Sequence, residues 1–249
     1  MDMRGARFLI TGGTSGVGAA LVRALAGRGA RVAICGRDTA AVARAGAGGV
    51  HAWRADLSVP GEAARVVALA AGRLGGLDVV VANAGVQYPT PLTSGPAPEV
   101  LSRAREEIAV NLTSVAELAA ASWPHLGASP APAAFVAVTS GLAYAPKRSA
   151  PVYCATKAGV HILLESLRHQ ARRDTPGVRV QEVVLPLVDT GMTAGREGPA
   201  RKLSPDAAAG AILRGIDRGR DVVAVGASRA LLALLRVAPP VGKRILRDA

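Results

Sequence analysis

Residues 8–18 read Phe8-Leu9-Ile10-Thr11-Gly12-Gly13-Thr14-Ser15-Gly16-Val17-Gly18, and an apolar helical pattern over Val17–Arg28 takes over before the glycines end. An apolar run, a glycine-dense turn and a helix start are the parts of a strand–turn–helix unit that cradles phosphate. Glycines let the backbone come close to a pyrophosphate, while free amides and the helix dipole meet its charge. A glycine turn alone also serves ordinary tight turns. The rest of the chain must therefore say what this unit belongs to.

Working outward, short apolar runs alternate with helical patterns. Strands are predicted at Phe8–Thr11, Arg31–Cys35, Val50–Trp53, Leu77–Ala82, Ala134–Thr139, Val178–Leu185 and Asp221–Val225. Their continuous apolarity suits strands covered on both faces. Helices are predicted at Gly61–Leu74, at Glu99–Trp123 ending before Pro124, and at Pro151–Asp174 ending before Pro176-Gly177. Ser204-Pro205-Asp206 opens another, with Ser as N-cap. Gly-rich 45–49 and Pro-rich 130–132 read as loops. The alternation predicts an α/β fold: a doubly wound, Rossmann-like parallel sheet of about seven strands, in one domain over residues 1–249.

The 249 residues carry a net charge of +12, and 3% are aromatic. The arginines are scattered rather than striped, and so few aromatics make no base-stacking platform, which excludes a nucleic-acid binder. No eighteen-residue apolar stretch reads as a membrane helix, and no signal peptide is expected. The two cysteines, Cys35 and Cys154, form no disulfide framework, which points to a reducing, cytoplasmic setting. The four histidines, at 51, 125, 161 and 169, lack metal-ligand spacing, so no metal is expected.

The spacing G-x-x-x-G-x-G in Thr11–Gly18 differs from the G-x-G-x-x-G of larger dinucleotide domains and resembles the cofactor motif of the short-chain dehydrogenase/reductase family. The resemblance implies cofactor contacts at Gly12, Thr14, Ser15, Gly16, Val17 and Gly18. It extends over roughly residues 7–226. Asp56-Leu57 resembles the family's adenine-contacting pair, and Asn83-Ala84-Gly85 matches the end of its Asn-Asn-Ala-Gly motif, with Ala82 departing from it. Pro186 matches the Pro of the family's Pro-Gly, and Val188 and Thr190 match positions that meet the nicotinamide amide. Leu187 stands where the family has Gly, so the turn is built with a residue that dislikes positive φ.

The second strand ends Cys35-Gly36-Arg37-Asp38. An acid there typically holds the ribose hydroxyls of NAD. Gly36 occupies that place, and Arg37 follows with a guanidinium suited to a 2′-phosphate. NADP(H) is the expected cofactor. Asp38 can instead cap the next helix.

Tyr153 and Lys157 lie four residues apart on one helix face. A phenol normally titrates near ~10, and a neighbouring ammonium favours its ionised form. Such a pair can act as general acid or base near neutral pH. Ser140 sits at the carboxyl end of the fifth strand, where parallel-sheet enzymes place chemistry, with Thr139 as the rival hydroxyl. Asn111 sits in an apolar helical face, where the plain reading is a hydrogen-bonded Asn. The resemblance gives the catalytic set Asn111, Ser140, Tyr153 and Lys157, with Tyr153 and Lys157 also touching cofactor.

Residues 83–87, 140–144, 151–158 and 166–170 further resemble a bacterial branch of oxidoreductases associated with D-alanylation operons. The implied function is hydride transfer between NADP(H) and a small-molecule carbonyl or secondary alcohol, as a ketoreductase, in a homodimer or homotetramer. Epimerisation or dehydration by transient hydride transfer is the alternative chemistry. A non-catalytic NADP-binding or membrane-associated interaction protein is the alternative class.

Residues 191–203 sit where the family carries its substrate lid, with Gly191, Gly195 and Gly198 for flexibility and Arg196, Arg201 and Lys202 for charge that could steer an anionic substrate; a solvated loop is the plainer reading. The basic, apolar tail of residues 227–249 can cover the cleft, pack on a partner subunit or touch a membrane surface. Pro239-Pro240 is expected to stop its helix.

Overall fold

The computed structural model describes residues 2–94, 97–195 and 201–247. They form a seven-stranded, wholly parallel sheet ordered β3-β2-β1-β4-β5-β6-β7. The strands are β1 (Arg7–Thr11), β2 (Arg31–Gly36), β3 (His51–Arg54), β4 (Val79–Ala82), β5 (Ala133–Ser140), β6 (Val178–Leu185) and β7 (Val222–Ala224). The expected strands are all present, and helices cover both faces of the sheet.

Strand alternation sends side chains into two separate cores. Leu9, Phe135 and Ala137 join the core beneath α3 (Glu62–Leu74), α5 (Ser114–Gly127) and α6 (Pro151–Asp174). Phe8, Ile10, Val136 and Val138 join the core beneath α1 (Gly16–Ala26) and α7 (Pro205–Asp217). Phe8 and Phe135, the chain's two phenylalanines, are fully buried on opposite faces of the sheet.

Several expectations about helices are corrected. Residues 45–49 are not all loop, because α2 spans Thr39–Ala47. It buries none of its residues and starts on Asp38, whose carboxylate accepts from the Ala41 amide at 2.6 Å. Asp38 is thus a helix cap. The helix expected over 99–123 is three pieces: α4 (Ala97–Ile108), a π-turn (Ala109–Thr113) and α5. Pro124 lies inside α5 rather than after it. Only three residues follow it before the helix ends, so the hydrogen bond it cannot donate is lost near a fraying end.

In the tail, the helix does stop ahead of Pro239-Pro240, as expected, but a second helix follows. α8 (Ala227–Val237) closes first, and the prolines open α9 (Pro239–Arg247), where missing N–H groups cost nothing. Among the described residues, no helix is long and apolar enough to cross a membrane. Every described residue with positive φ is a glycine, so Leu187 sits in ordinary backbone and the expected strain there is absent.

Candidate active site at the carboxyl edge of the sheet

Strand order reverses between β1 and β4, and a crevice at the carboxyl ends of strands is where such sheets bind ligands. A cleft of about 820 Å³ opens there. Its walls include Gly12, Ser15, Gly16 and Val17 from the first turn, with Asn83, Ala84 and Gly85 beyond β4. Ser140, Tyr153 and Lys157 also line it, as do Pro186, Val188 and Thr190 after β6.

The glycine turn is held by its neighbours. Thr11 Oγ1 accepts from the amides of Asn83 and Ala84, both at 3.0 Å, and Asn83 Nδ2 donates to the Thr11 carbonyl at 2.9 Å. A Cβ added at Gly18 would stand 2.1 Å from the Gly12 carbonyl oxygen, so the first turn of α1 presses directly on the loop. Gly16 has φ +51°, and Thr190 Cγ2 would lie 3.0 Å from any Cβ there. Ser15, the N-cap, makes no side-chain cap bond. An eleven-residue helix thus aims its N-terminal amides into a cleft walled by glycine. That arrangement fits the pyrophosphate of a dinucleotide.

Thr14 packs against Gly36, where a Cβ would meet Thr14 Oγ1 at 2.6 Å and Cγ2 at 2.7 Å. Any side chain at position 36, an acid included, would therefore have to displace Thr14. Arg37 stands outside the cleft lining, half exposed, and pairs with Glu106 of α4 at 2.7 Å. Asp56 also lies outside the lining, as do Leu57, Thr14 and Gly18. The Asp56 carboxylate accepts from the Ser58 hydroxyl and amide at 2.7 and 3.0 Å, which hold it below the usual carboxylate range.

Pro151 at the start of α6 sets Tyr153 in its first turn and Lys157 one turn later. Lys157 Nζ donates to the Val138 carbonyl at 2.9 Å and lies 5.7 Å from the Tyr153 ring centre. Burial pushes the Lys157 ammonium down to about 8. Ser140 Oγ accepts from the Leu142 amide at 3.2 Å. Thr139 is turned the other way, donating to Glu182 at 2.6 Å, which removes it as the rival hydroxyl.

Asn111 lies in the π-turn, not in a regular helix, and is fully buried. Its amide brackets Val86, accepting from that residue's N–H at 2.9 Å and donating to its carbonyl at 2.8 Å. The amide also donates to Thr156 at 3.3 Å. Gly85 lies between Asn111 and Lys157: a Cβ on it would stand 3.1 Å from Asn111 Oδ1 and 3.7 Å from Lys157 Nζ.

The tail roofs the cleft. Leu231, Leu234 and Ala230 of α8 line it, with Ile245 and Leu246 of α9. The Arg148 amide donates to the Arg247 carbonyl at 2.9 Å, fastening the end of α9 beside the loop that follows Ser140. Ser228 Oγ is buried in the cleft wall with no hydrogen-bond partner among the described residues. Sequence reasoning missed Ser228 and the individual roof leucines. The amphipathic pattern of α8 was visible, but not the surface it covers.

Of the lid charges, Lys202 is engaged: its ammonium donates to the Thr193 carbonyl at 2.7 Å. Arg201 lines the cleft. Arg196 and Gly198 lie outside the described residues.

A nicotinamide-type glycine cradle beside a Ser–Tyr–Lys cluster defines an oxidoreductase-like α/β fold. The family profile for short chain dehydrogenase matches residues 6–199, and the chain belongs to that family. It is 39% identical over 194 residues to an uncharacterized oxidoreductase, DltE, of Bacillus subtilis strain 168, covering 77% of this chain and 75% of that one. Among solved structures it superposes on a short chain dehydrogenase from Burkholderia cenocepacia J2315 in complex with NADP. The TM-score is 0.83 at 27% identity, and both chains are covered in full. It shares its fold with a short chain dehydrogenase/reductase from Burkholderia phymatum in complex with NAD. There the TM-score is 0.85 at 21% identity, over 100% of this chain and 97% of that one.

Proposed function

We propose that this chain is an NADP(H)-dependent oxidoreductase, a ketoreductase interconverting a carbonyl and a secondary alcohol. The observation that carries the reading is the convergence of Ser140, Tyr153 and Lys157 on the cleft that the glycine turn opens. Bound there, the nicotinamide cofactor would supply or accept the hydride.

The protein's own part is oxygen and proton chemistry. Ser140 Oγ already accepts from Leu142, so its own hydrogen is left to donate to the substrate oxygen. Tyr153 gives that oxygen its proton in reduction and removes it in oxidation. Lys157, anchored on Val138, holds the cofactor ribose, and its charge favours the ionised phenol of Tyr153. Asn111 fixes Val86, and with it the Asn83–Gly85 wall beside Lys157, where it can order a water in the proton path.

Both nicotinamide dinucleotides occur in neighbours of this fold, so the cofactor preference rests on Arg37 and Gly36. A 2′-phosphate would compete with Glu106 for Arg37. The leucine roof favours a ketone with a bulky hydrocarbon body, and Ser228 favours a second oxygen on it. The test is titration with NADPH and NADH, then a ketone screen. Arg37→Ala should weaken NADPH binding roughly tenfold to a hundredfold, the worth of a charge-assisted hydrogen bond of ~1.5–3 kcal/mol, and leave NADH unchanged. Bulky apolar ketones should be the best substrates. Tighter NADH binding would overturn the preference, and binding of neither nucleotide would overturn the enzyme.

A homodimer or homotetramer is part of the same proposal. Leu101 and Ile108 of α4 and Ile162 of α6 are exposed apolar residues on the helices that would pair. Light scattering at micromolar concentration should give a multiple of the 25.2 kDa chain mass, and a monomer would contradict it.

A further inference from the structure

Behind the cleft lies a polar cluster that the catalytic set does not use. Glu182, inside apolar β6, is fully buried. A carboxylate without water is costly unless it is fully hydrogen-bonded. Three elements supply its donors. Thr139 Oγ1 on β5 donates to Oε1 at 2.6 Å. The Tyr144 hydroxyl, from the segment after Ser140, donates to Oε2 at 2.9 Å. His161 Nδ1, on α6, lies 2.8 Å from the same Oε2 and 3.0 Å from the Tyr144 oxygen.

The other charged groups facing the cluster come from α6. Glu165 stands 3.6 Å from His161 Nε2, and the Arg168 cation acts on Tyr144 from a distance. Burial first, then the charge of Glu182 and the hydrogen bond to it, push the Tyr144 phenol up, so it stays a donor.

The donors are placed beside the reacting groups. Thr139 directly precedes Ser140, and strand alternation turns Ser140 away when Thr139 is fixed. Tyr144 closes the short turn Gly141–Ala143 that follows Ser140. His161 is one helical turn beyond Lys157. We propose that Glu182 is the common anchor that sets Ser140 against Tyr153 and Lys157, with Tyr144 and His161 as positioning residues acting through it. Neither Glu182, Tyr144 nor His161 lines the cleft, so their effect passes through placement alone. The inference rests on the oxidoreductase reading above.

The test uses wild type, Tyr144→Phe, His161→Gln, Glu182→Gln and the Tyr144→Phe/Glu182→Gln pair, assayed on a ketone that the wild type reduces. Displacement by fractions of an ångström is expected to lower kcat by about tenfold or more in each single variant. Ketone KM and NADPH affinity should hold within about twofold, a split that general loosening of the fold would not give. The pair should lose no more than Glu182→Gln alone, because Tyr144 acts through Glu182. Hydrogen exchange over residues 139–145 should be faster in every variant.

Unchanged kcat, or losses that multiply in the pair, would overturn the proposal. If Glu182→Gln does not fold, Tyr144→Phe and His161→Gln decide it. A wild type that binds no nucleotide and reduces no ketone ends the oxidoreductase reading separately. The exchange rates then judge the anchor, and unchanged rates overturn it.

Discussion

Tyr153→Phe is expected to lower carbonyl-dependent NADPH oxidation by roughly 10²–10⁴, the usual worth of a positioned general acid. The ring is buried in the first turn of α6, and phenylalanine keeps its volume and packing. Only the hydroxyl proposed to exchange a proton with the substrate oxygen is lost. NADPH affinity should stay within about twofold, because Lys157 and the glycine turn remain. Single-turnover kinetics beside a binding titration separates the two quantities. Turnover within tenfold of wild type would remove Tyr153 from the chemistry.

Lys157→Met is expected to do two opposite things. Turnover should fall by about 10² or more, since the charge that favours ionised Tyr153 is gone. The cofactor-free protein should nevertheless become harder to melt at pH 7. Burial depresses the Lys157 ammonium from 10.5 to about 8, so the folded chain loses this proton before the unfolded chain does. Between those pH values the unfolded state binds more protons, and stability rises with pH. Below about 8 the whole cost is present, roughly 3 kcal/mol at 1.36 kcal/mol per pH unit. Leaving the Val138 carbonyl without its donor takes back ~1 kcal/mol or more. A net gain of a few degrees in Tm is expected at pH 7, shrinking as pH approaches 10. A lower Tm at pH 7 would refute the buried-charge account.

What the sequence disclosed follows the strength of local signals. Most strands are largely apolar runs, and Pro151 and Pro176-Gly177 bracket α6, so those elements read directly. Helix α2 was missed because Thr39–Ala47 is small, glycine-bearing and buries nothing, leaving only the Asp38 cap as a sign. The π-turn at Ala109–Thr113 carries no compositional sign of its own, so Asn111, named from the family resemblance, came without its setting.

The residues Gly12, Ser15, Gly16, Val17, Ser140, Tyr153 and Lys157 were named from a family motif, and they line one cleft, whereas Thr14, Gly18 and Leu57 lie outside it. Arg37 and Asp56 were named too, yet their partners Glu106 and Ser58 depend on tertiary placement and close turn geometry. Glu182 did leave a mark, a lone acid within an apolar strand. Its partners Tyr144 and His161 are 38 and 21 residues away, beyond the reach of any local pattern.

The contact between Thr14 and Gly36 bears on how cofactor choice can change over generations. An acid at 36 would be the direct step toward NAD, but its first carbon would already stand 2.6 Å from the Thr14 hydroxyl. A lineage starting from this sequence would have to move or trim the Thr14 side chain before or together with that step. A route that installs the acid at 36 therefore meets a packing barrier at Thr14, which a change at Arg37 does not.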